Sequence, residues 1–417
     1  MQVHLATELR RSRRAVATVF ALNGFLAAMW VAHIPVISER TDVGHDELGG
    51  LLLLLGGSAF VGMQVCGPLI DRWGSKPLTV GGALLLSGVI ITPVLAVDTF
   101  TLGAALAAFG FANGCLDVSM NAQAVAVERA YRRPIMSSFH GFFSAGSLVG
   151  SGVVAATLWA DVGVVPTVAC AAIAGFVVVA AVARHLAGHD RTPAASPSSN
   201  TSSDSGTGAW WHGIDRRRLV LLAVVAFGLM LAEGTAYDWS ALHIVESHGT
   251  SEAIGAIAFG AFSATMTIAR FVIDPVVAAV GAVRVLRVGA LVGMAGMTMA
   301  IVSPVPALAV AGWAVFGLGL AGLIPQIFTA AGNLTDSAGG RTISIVVGCG
   351  YLGMLAGPAV VGFISSRTSL DTGLLAALAA LLLAVFFAGV VRPRERPVSA
   401  LGEPRSSSPG GRATLEE

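Results

Sequence analysis

Of the 417 residues, 55% are hydrophobic and 12% charged, and the 51 glycines bring the apolar share to roughly two-thirds, against about half apolar and a quarter charged in soluble domains. A bilayer span needs about 20 apolar residues, so twelve spans would take roughly 240 and leave no room for a soluble catalytic domain of about 100–150 residues. The net charge of +1 conceals an uneven placement of the 25 basic residues.

In chain order, apolar runs fall at 15–38, 48–70, 78–97, 101–127, 135–158, 163–184, 218–245, 253–274, 286–302, 305–331, 342–364 and 371–391. The pattern predicts an all-α membrane protein of twelve transmembrane helices in two pseudo-symmetric six-helix bundles, 1–184 and 218–391. Between them, 185–217 contains a Ser-, Thr-, Pro- and Gly-rich stretch that reads as a flexible cytoplasmic linker. The Pro-, Ser- and Arg-rich tail 392–417 cannot bury a core and reads as disordered. The first run is too long for a cleaved signal and no A-x-A site follows it.

With the N-terminus inside, 22 of the 25 basic residues fall on the cytoplasmic side, among them Arg10, Arg72, Lys76, Arg129, Arg132, Arg133 and Arg216 to Arg218; Arg40 and Arg367 fall outside, and Arg270 is placed near the inner end of span 8. The positive-inside rule then puts both termini in the cytoplasm, and the membrane expected is a bacterial inner membrane. The halves also repeat. An offset of 207 carries Phe109-Gly110 onto Phe316-Gly317 and Gly141, Gly146 and Gly150 onto Gly348, Gly353 and Gly357. An offset of 203 carries Leu69-Ile70-Asp71 onto Val272-Ile273-Asp274, with the following loop read as four residues longer in the second half. Such repeats are expected of secondary transporters, and the glycines permit close helix contact in lipid.

Intramembrane polar residues concentrate in spans 1, 4, 7 and 10, while spans 6 and 12 are almost wholly apolar. Because polar groups in hydrocarbon face the bundle interior or a wet cavity, the first helix of each three-helix unit is expected to line a central cavity and the third to face lipid. Asn113, Asp117 and Asn121 share one face of span 4. Asp117 and Glu233 are the proton-coupling candidates, since a desolvated carboxylate can take up and release a proton; a structural hydrogen bond is the alternative for Asp117. His140, in a stripe with Ser144, Ser147 and Ser151, is either a proton relay or a residue that simply bonds a neighbour. The substrate-cavity candidates are Asn23, Trp30, Asn113, Asn121, Ser144, Tyr237, Ser240 and Gln326, the last following Pro325 at a kink. The four cysteines lie in spans and read as small buried hydrophobes. No P-loop, zinc or nucleophile-elbow motif is present, so no enzyme activity, cofactor or metal is expected.

The stretch Gly67-Pro68-Leu69-Ile70-Asp71-Arg72-Trp73-Gly74-Ser75-Lys76 between spans 2 and 3 resembles the G-x-x-x-D-R-x-G-x-[RK] loop motif of the major facilitator superfamily. The resemblance implies a transporter whose gating motif is Gly67, Asp71, Arg72, Gly74 and Lys76, with Asp71 facing the N-terminus of span 11, where the helix dipole favours a carboxylate. The second half departs from it: Asp274 is followed by Pro275, and Arg270 and Asp274, four apart, are expected to pair with each other, which puts a second latch in doubt. Gly114 to Asn121, Arg133 to Gly141 and Glu233-Gly234 with Asp238 to Ala241 are similar to the YbjJ/MosC-type subgroup, one member of which is associated with an amino-cyclitol; no ligand is carried over from it. The expected activity is proton-coupled secondary transport of a small polar solute such as a sugar, cyclitol or amino-sugar-like compound. Efflux of an amphipathic metabolite or antibiotic is one alternative and a non-transporting membrane sensor another. The expected partners are the solute, protons and the lipid bilayer, with no nucleic acid, for a monomeric chain.

Overall fold

A computed structural model describes residues 2–43, 45–188, 214–335 and 339–393. Most of the predicted linker and tail, including Arg191, Arg394, Arg396, Arg405 and Arg412, lies outside the described residues. Among those described, twelve helical segments are long and apolar enough to cross a membrane: Thr7–Val31, Glu47–Trp73, Ser75–Leu95, Thr99–Tyr131, Met136–Trp159, Val164–His185, Arg216–His248, Ile254–Val280, Ala282–Val302, Pro306–Gly332, Gly339–Ser365 and Leu370–Val391, here spans 1 to 12. Spans 1 to 6 pack mainly on one another, as do spans 7 to 12; spans 2 and 11, and spans 5 and 8, form the seam between the two sets.

Several helix ends have local causes. Asp98 caps span 4, its Oδ1 accepting the Thr101 N–H at 2.7 Å while the Thr101 hydroxyl accepts the Asp98 N–H, a reciprocal capping box. Gly74 (φ 84°) and Gly281 (φ 85°) start spans 3 and 9 from a conformation other residues rarely adopt. They are related by the offset of 207. The four extra residues after Asp274 therefore form another helical turn, not a longer loop: the span 8 helix continues through Pro275 to Val280.

Three spans are broken: span 1, span 3 between Val89 and Thr92, and span 10 close to the kink expected at Pro325. The span 1 helix stops at Val31 and a short helix, Ile34–Thr41, follows; span 10 is interrupted between Leu320 and Leu323, just ahead of Pro325. Spans 1, 4, 7 and 10 are the most enclosed, each with more than half of its most apolar stretch buried, whereas spans 2, 5 and 8 are less enclosed than spans 6 and 12. The second helices carry the seam between the halves.

Repeated glycines mark close helix crossings. A Cβ on Gly146 would run into the Ala21 carbonyl of span 1, and one on Gly353 into the Phe227 carbonyl of span 7, so the same contact recurs in both halves. Cys66 and Cys115, distant in sequence, place their thiols side by side, and Cys170 is exposed instead of buried.

Candidate functional site

The intramembrane charges converge at mid-depth on the seam. Asp117 stands fourteen residues from the end of span 4 and Glu233 seventeen from the start of span 7, roughly 21 and 26 Å along their helices. Glu233 Oε1 accepts a bond from Arg270 Nη2 at 3.0 Å, both residues buried, and Arg270 Nη1 donates to Ser144 Oγ of span 5 at 3.0 Å. One guanidinium thus joins spans 7 and 8 of one half to span 5 of the other. A buried ion pair of this kind is held by its added hydrogen bonds and leaves an uncompensated charge if either member is lost.

Asp117, of span 4, is buried in the other half. Asn121 Nδ2 donates to its backbone carbonyl at 2.9 Å, and the Tyr351 hydroxyl of span 11 approaches its carboxyl group. Tyr351 is also within electrostatic range of Glu233. Asp117 Oδ2, Asn113 Oδ1, Asn121 Oδ1, His140 Nε2 and Arg270 Nε are buried without a hydrogen-bond partner among the described residues. Unpaired buried polar atoms are costly, and a polar ligand is one way to satisfy them.

The remaining candidates scatter around this cluster. His140 is wedged between Phe20 and Phe328 and feels the Arg270 charge. Asn23 is buried and donates to Met120 Sδ at 3.7 Å, while Trp30, 3% exposed, is enclosed in the core. Tyr237, partly exposed, packs edge-on to Phe262; Ser240 is fully buried. Gln326 lies beyond the span 10 break, toward the face that carries the described helix ends nearest both termini.

That termini face is where the halves close on each other. Asp71 accepts the Gly340 N–H at 2.7 Å and the Arg341 N–H at 3.2 Å at the start of span 11, and Gly67 touches the Gly340 carbonyl and Ser344. Gly74 makes the turn, Lys76 Nζ reaches the Arg184 carbonyl at 3.5 Å, and Arg72 is exposed. Three readings of the second half are corrected. Arg270 sits ten residues from the end of span 8, at mid-depth instead of near the inner end. It reaches Glu233 and Ser144 instead of Asp274. Asp274 accepts the N–H groups of Ser137 and Ser138, at 3.1 and 2.9 Å, at the start of span 5. The second half therefore has its own carboxylate on a helix N-terminus, related to Asp71 by pseudo-symmetry. Glu128 adds bonds to the N–H groups of Ile135 and Met136 and to the Thr329 hydroxyl, and Arg129 binds the Gly332 carbonyl and Asn333 across the seam.

Sequence reasoning missed Tyr351, although the 207 offset that matches the repeated glycines places it opposite Ser144. It also missed His243, which is fully buried. The His243 Nε2 bonds Asp371 at 3.0 Å and its Nδ1 accepts from Trp313 Nε1 at 3.2 Å. No repeat or spacing signals that cluster, whose members come from spans 7, 10 and 12.

The Major Facilitator Superfamily profile matches residues 222–415. An uncharacterized MFS-type transporter of Yersinia pestis is 31% identical over 371 residues, covering 88% of this chain and 92% of its own length. The membrane protein MosC of Rhizobium meliloti is 29% identical, with 89% and 88% covered. Among solved structures, the transporter FucP in its outward conformation superposes with a TM-score of 0.75 at 14% identity over 91% of this chain and 98% of its own, and the human organic anion transporter MFSD10 with 0.69 at 15% over 91% and 99%. At that identity the structures speak for the fold, and the Yersinia relative for the family. With twelve membrane-length helices in that fold, the chain belongs to the major facilitator superfamily, as a multi-pass membrane transporter of the MosC-like kind and not an enzyme.

Proposed function

We propose that this transporter couples the movement of a small polar solute, of the sugar, cyclitol or amino-sugar kind, to protons by alternating access around the mid-depth cluster. The observation that carries the reading is the convergence of Asp117 and Tyr351 with the Glu233–Arg270–Ser144 chain at the seam between the halves. Carboxylates at such a place are proton-site candidates, and the unpartnered amide oxygens of Asn113 and Asn121 suit hydroxyl or amine donors. Proton-linked sugar transport has a precedent on this fold, since one structural neighbour is the E. coli fucose:proton symporter FucP.

Protonation of Glu233, or a solute group competing for Arg270, would weaken the guanidinium's hold between spans 7 and 8 and thereby alter its bond to Ser144 across the seam. Asp117, with an oxygen left over, is the group that exchanges a proton. With the termini placed in the cytoplasm by the basic-residue bias, the contacts of Asp71 and Asp274 close the cytoplasmic side, so the conformation described is outward-facing. Chain boundaries near 184 and 218 then delimit two bundles that rock as units, in a bacterial inner membrane, as a monomer.

The test uses proteoliposomes and a labelled panel of monosaccharides, cyclitols and amino sugars. An imposed pH gradient should drive accumulation of at least one of them, and Asp117→Asn should abolish that accumulation while sparing exchange at equal pH. Gradient-driven accumulation unchanged in Asp117→Asn would sink the assignment of that residue, and solute binding without flux would restore the sensor reading.

A further inference from the structure

On the termini face a cavity of about 630 Å³ opens where the two halves meet. Arg129, Arg132 and Arg133 line it from the end of span 4 and the turn after it, and Arg218 and Arg392 from the start of span 7 and just past span 12. Glu128 is the one carboxylate on this wall among the described residues. Its oxygens are already engaged, Oε2 by the N–H groups of Ile135 and Met136 and Oε1 by the Thr329 hydroxyl, each at 2.8 Å. Five arginines thus line a space whose single acid is turned to other donors; of these, Arg129 also bonds the Gly332 carbonyl and Arg218 the Val390 and Arg392 carbonyls.

One further observation suits an anion here. Gln326 lines the same cavity, is 4% exposed, and its Nε2 has no hydrogen-bond partner among the described residues, so a buried donor is left over. Guanidinium groups match phosphate oxygens with paired hydrogen bonds. The cavity also lies level with the ends of spans 4, 7, 10 and 12, the depth at which basic pockets between helices meet lipid headgroups.

We propose that this cavity binds a phosphate-bearing polyanion, supplied either by an anionic phospholipid headgroup or by a soluble phosphate compound, and that the ligand ties the two halves together on this face. The arginines come from both halves, so a ligand touching both sets binds best when they converge and shifts the population toward the conformation closed here. The inference does not depend on which solute is carried.

The experiment measures thermal unfolding of the full chain in two arms: detergent with inorganic pyrophosphate against sodium chloride of matched ionic strength, and phosphatidylcholine nanodiscs with and without cardiolipin. The wild-type midpoint should rise saturably in at least one arm. A rise with cardiolipin alone assigns the headgroup; a rise with pyrophosphate alone assigns a soluble ligand. Arg132→Gln/Arg133→Gln, at two exposed positions where folding is not at stake, should raise the half-saturating concentration at least about tenfold, the loss expected for one charged hydrogen bond. Arg284→Gln/Arg287→Gln, exposed on the same face but off the cavity, should leave it unchanged. No rise in either arm beyond the salt-matched control, or an equal rise in the Arg132→Gln/Arg133→Gln protein, overturns the proposal.

Discussion

Replacing Asp71 by Asn should release the start of span 11 while leaving the helices themselves intact. The wild-type carboxylate accepts two backbone N–H groups, from Gly340 at 2.7 Å and Arg341 at 3.2 Å, with the Arg341 Nε 3.9 Å away. Hydrogen bonds to a charged group contribute about 1.5–3 kcal/mol each, and a carboxylate at a partly buried helix N-terminus adds up to about 2 kcal/mol. Asparagine keeps the shape and one acceptor but loses the charge, so the net cost is about 2–4 kcal/mol, a factor of roughly 30 to 1,000 in the closing equilibrium. Hydrogen–deuterium exchange of the full chain in nanodiscs reads this directly, because the amides of Gly340 and Arg341 are themselves the donors. Their exchange should accelerate by a large part of that factor in Asp71→Asn. In Asp274→Asn the acceleration should move to Ser137 and Ser138, whose amides Asp274 accepts. Exchange at 340–341 within about threefold of wild type, equivalent to less than 1 kcal/mol, would refute the reasoning that these carboxylates hold the face closed.

Removing one partner of the Glu233–Arg270 pair should destabilise the protein by about 3–5 kcal/mol, and Glu233→Gln/Arg270→Gln should recover much of it, as read by unfolding midpoints; a double variant no better than the worse single one would argue against the pair. Gly146→Ala and Gly353→Ala each drive a Cβ into a backbone carbonyl and should cost about 1–3 kcal/mol, whereas Gly152→Ala, with nothing within 4 Å of the added carbon, should be neutral or slightly stabilising. Asp98 lies outside the spans, and the Thr101 N–H and hydroxyl hold its carboxyl below the usual range. A lowered folded pKa gives stability that is complete above the unfolded value of about 3.9 and fades as pH falls through the folded one. The midpoint advantage of wild type over Asp98→Asn should therefore shrink below about pH 4, as differential scanning fluorimetry at stepped pH would show.

The number of spans was legible because a bilayer imposes a length and a composition on every crossing, and the enclosed character of spans 1, 4, 7 and 10 was legible because polar residues cannot face lipid. Partner choice was not. Arg270 and Asp274 have the four-residue spacing that favours pairing on an isolated helix, yet each finds a partner on another span, because the seam offers Arg270 a buried carboxylate and Asp274 an open helix N-terminus. Helical spacing carries no information about which neighbours the packing will supply. Tyr351 escaped notice for a related reason: its place beside Asp117 follows only once spans 4 and 11 are brought together.

The pseudo-symmetry is most informative where it fails. The offset of 203 that superimposes Asp71 on Asp274 also superimposes Gly67 on Arg270. At Gly67 the absence of a side chain lets span 2 lie against Gly340 and Ser344, and the contact between spans 2 and 11 continues past mid-depth to Gly56 and Leu355. At the matching point on the other seam a guanidinium projects instead, holding Glu233 and Ser144, with Phe271 packed edge-on to Phe142 at 5.4 Å. One seam is thus close-packed at this level, its charge confined to the Asp71 latch at its end, while the other passes through a buried ionisable pair at mid-depth. A change of charge at Glu233 bears directly on the second seam, so the two carboxylate latches, alike in geometry, need not release together. Exchange at 137–138 should respond to Glu233→Gln more strongly than exchange at 340–341, and an equal response at both would mean that the halves part as one rigid step.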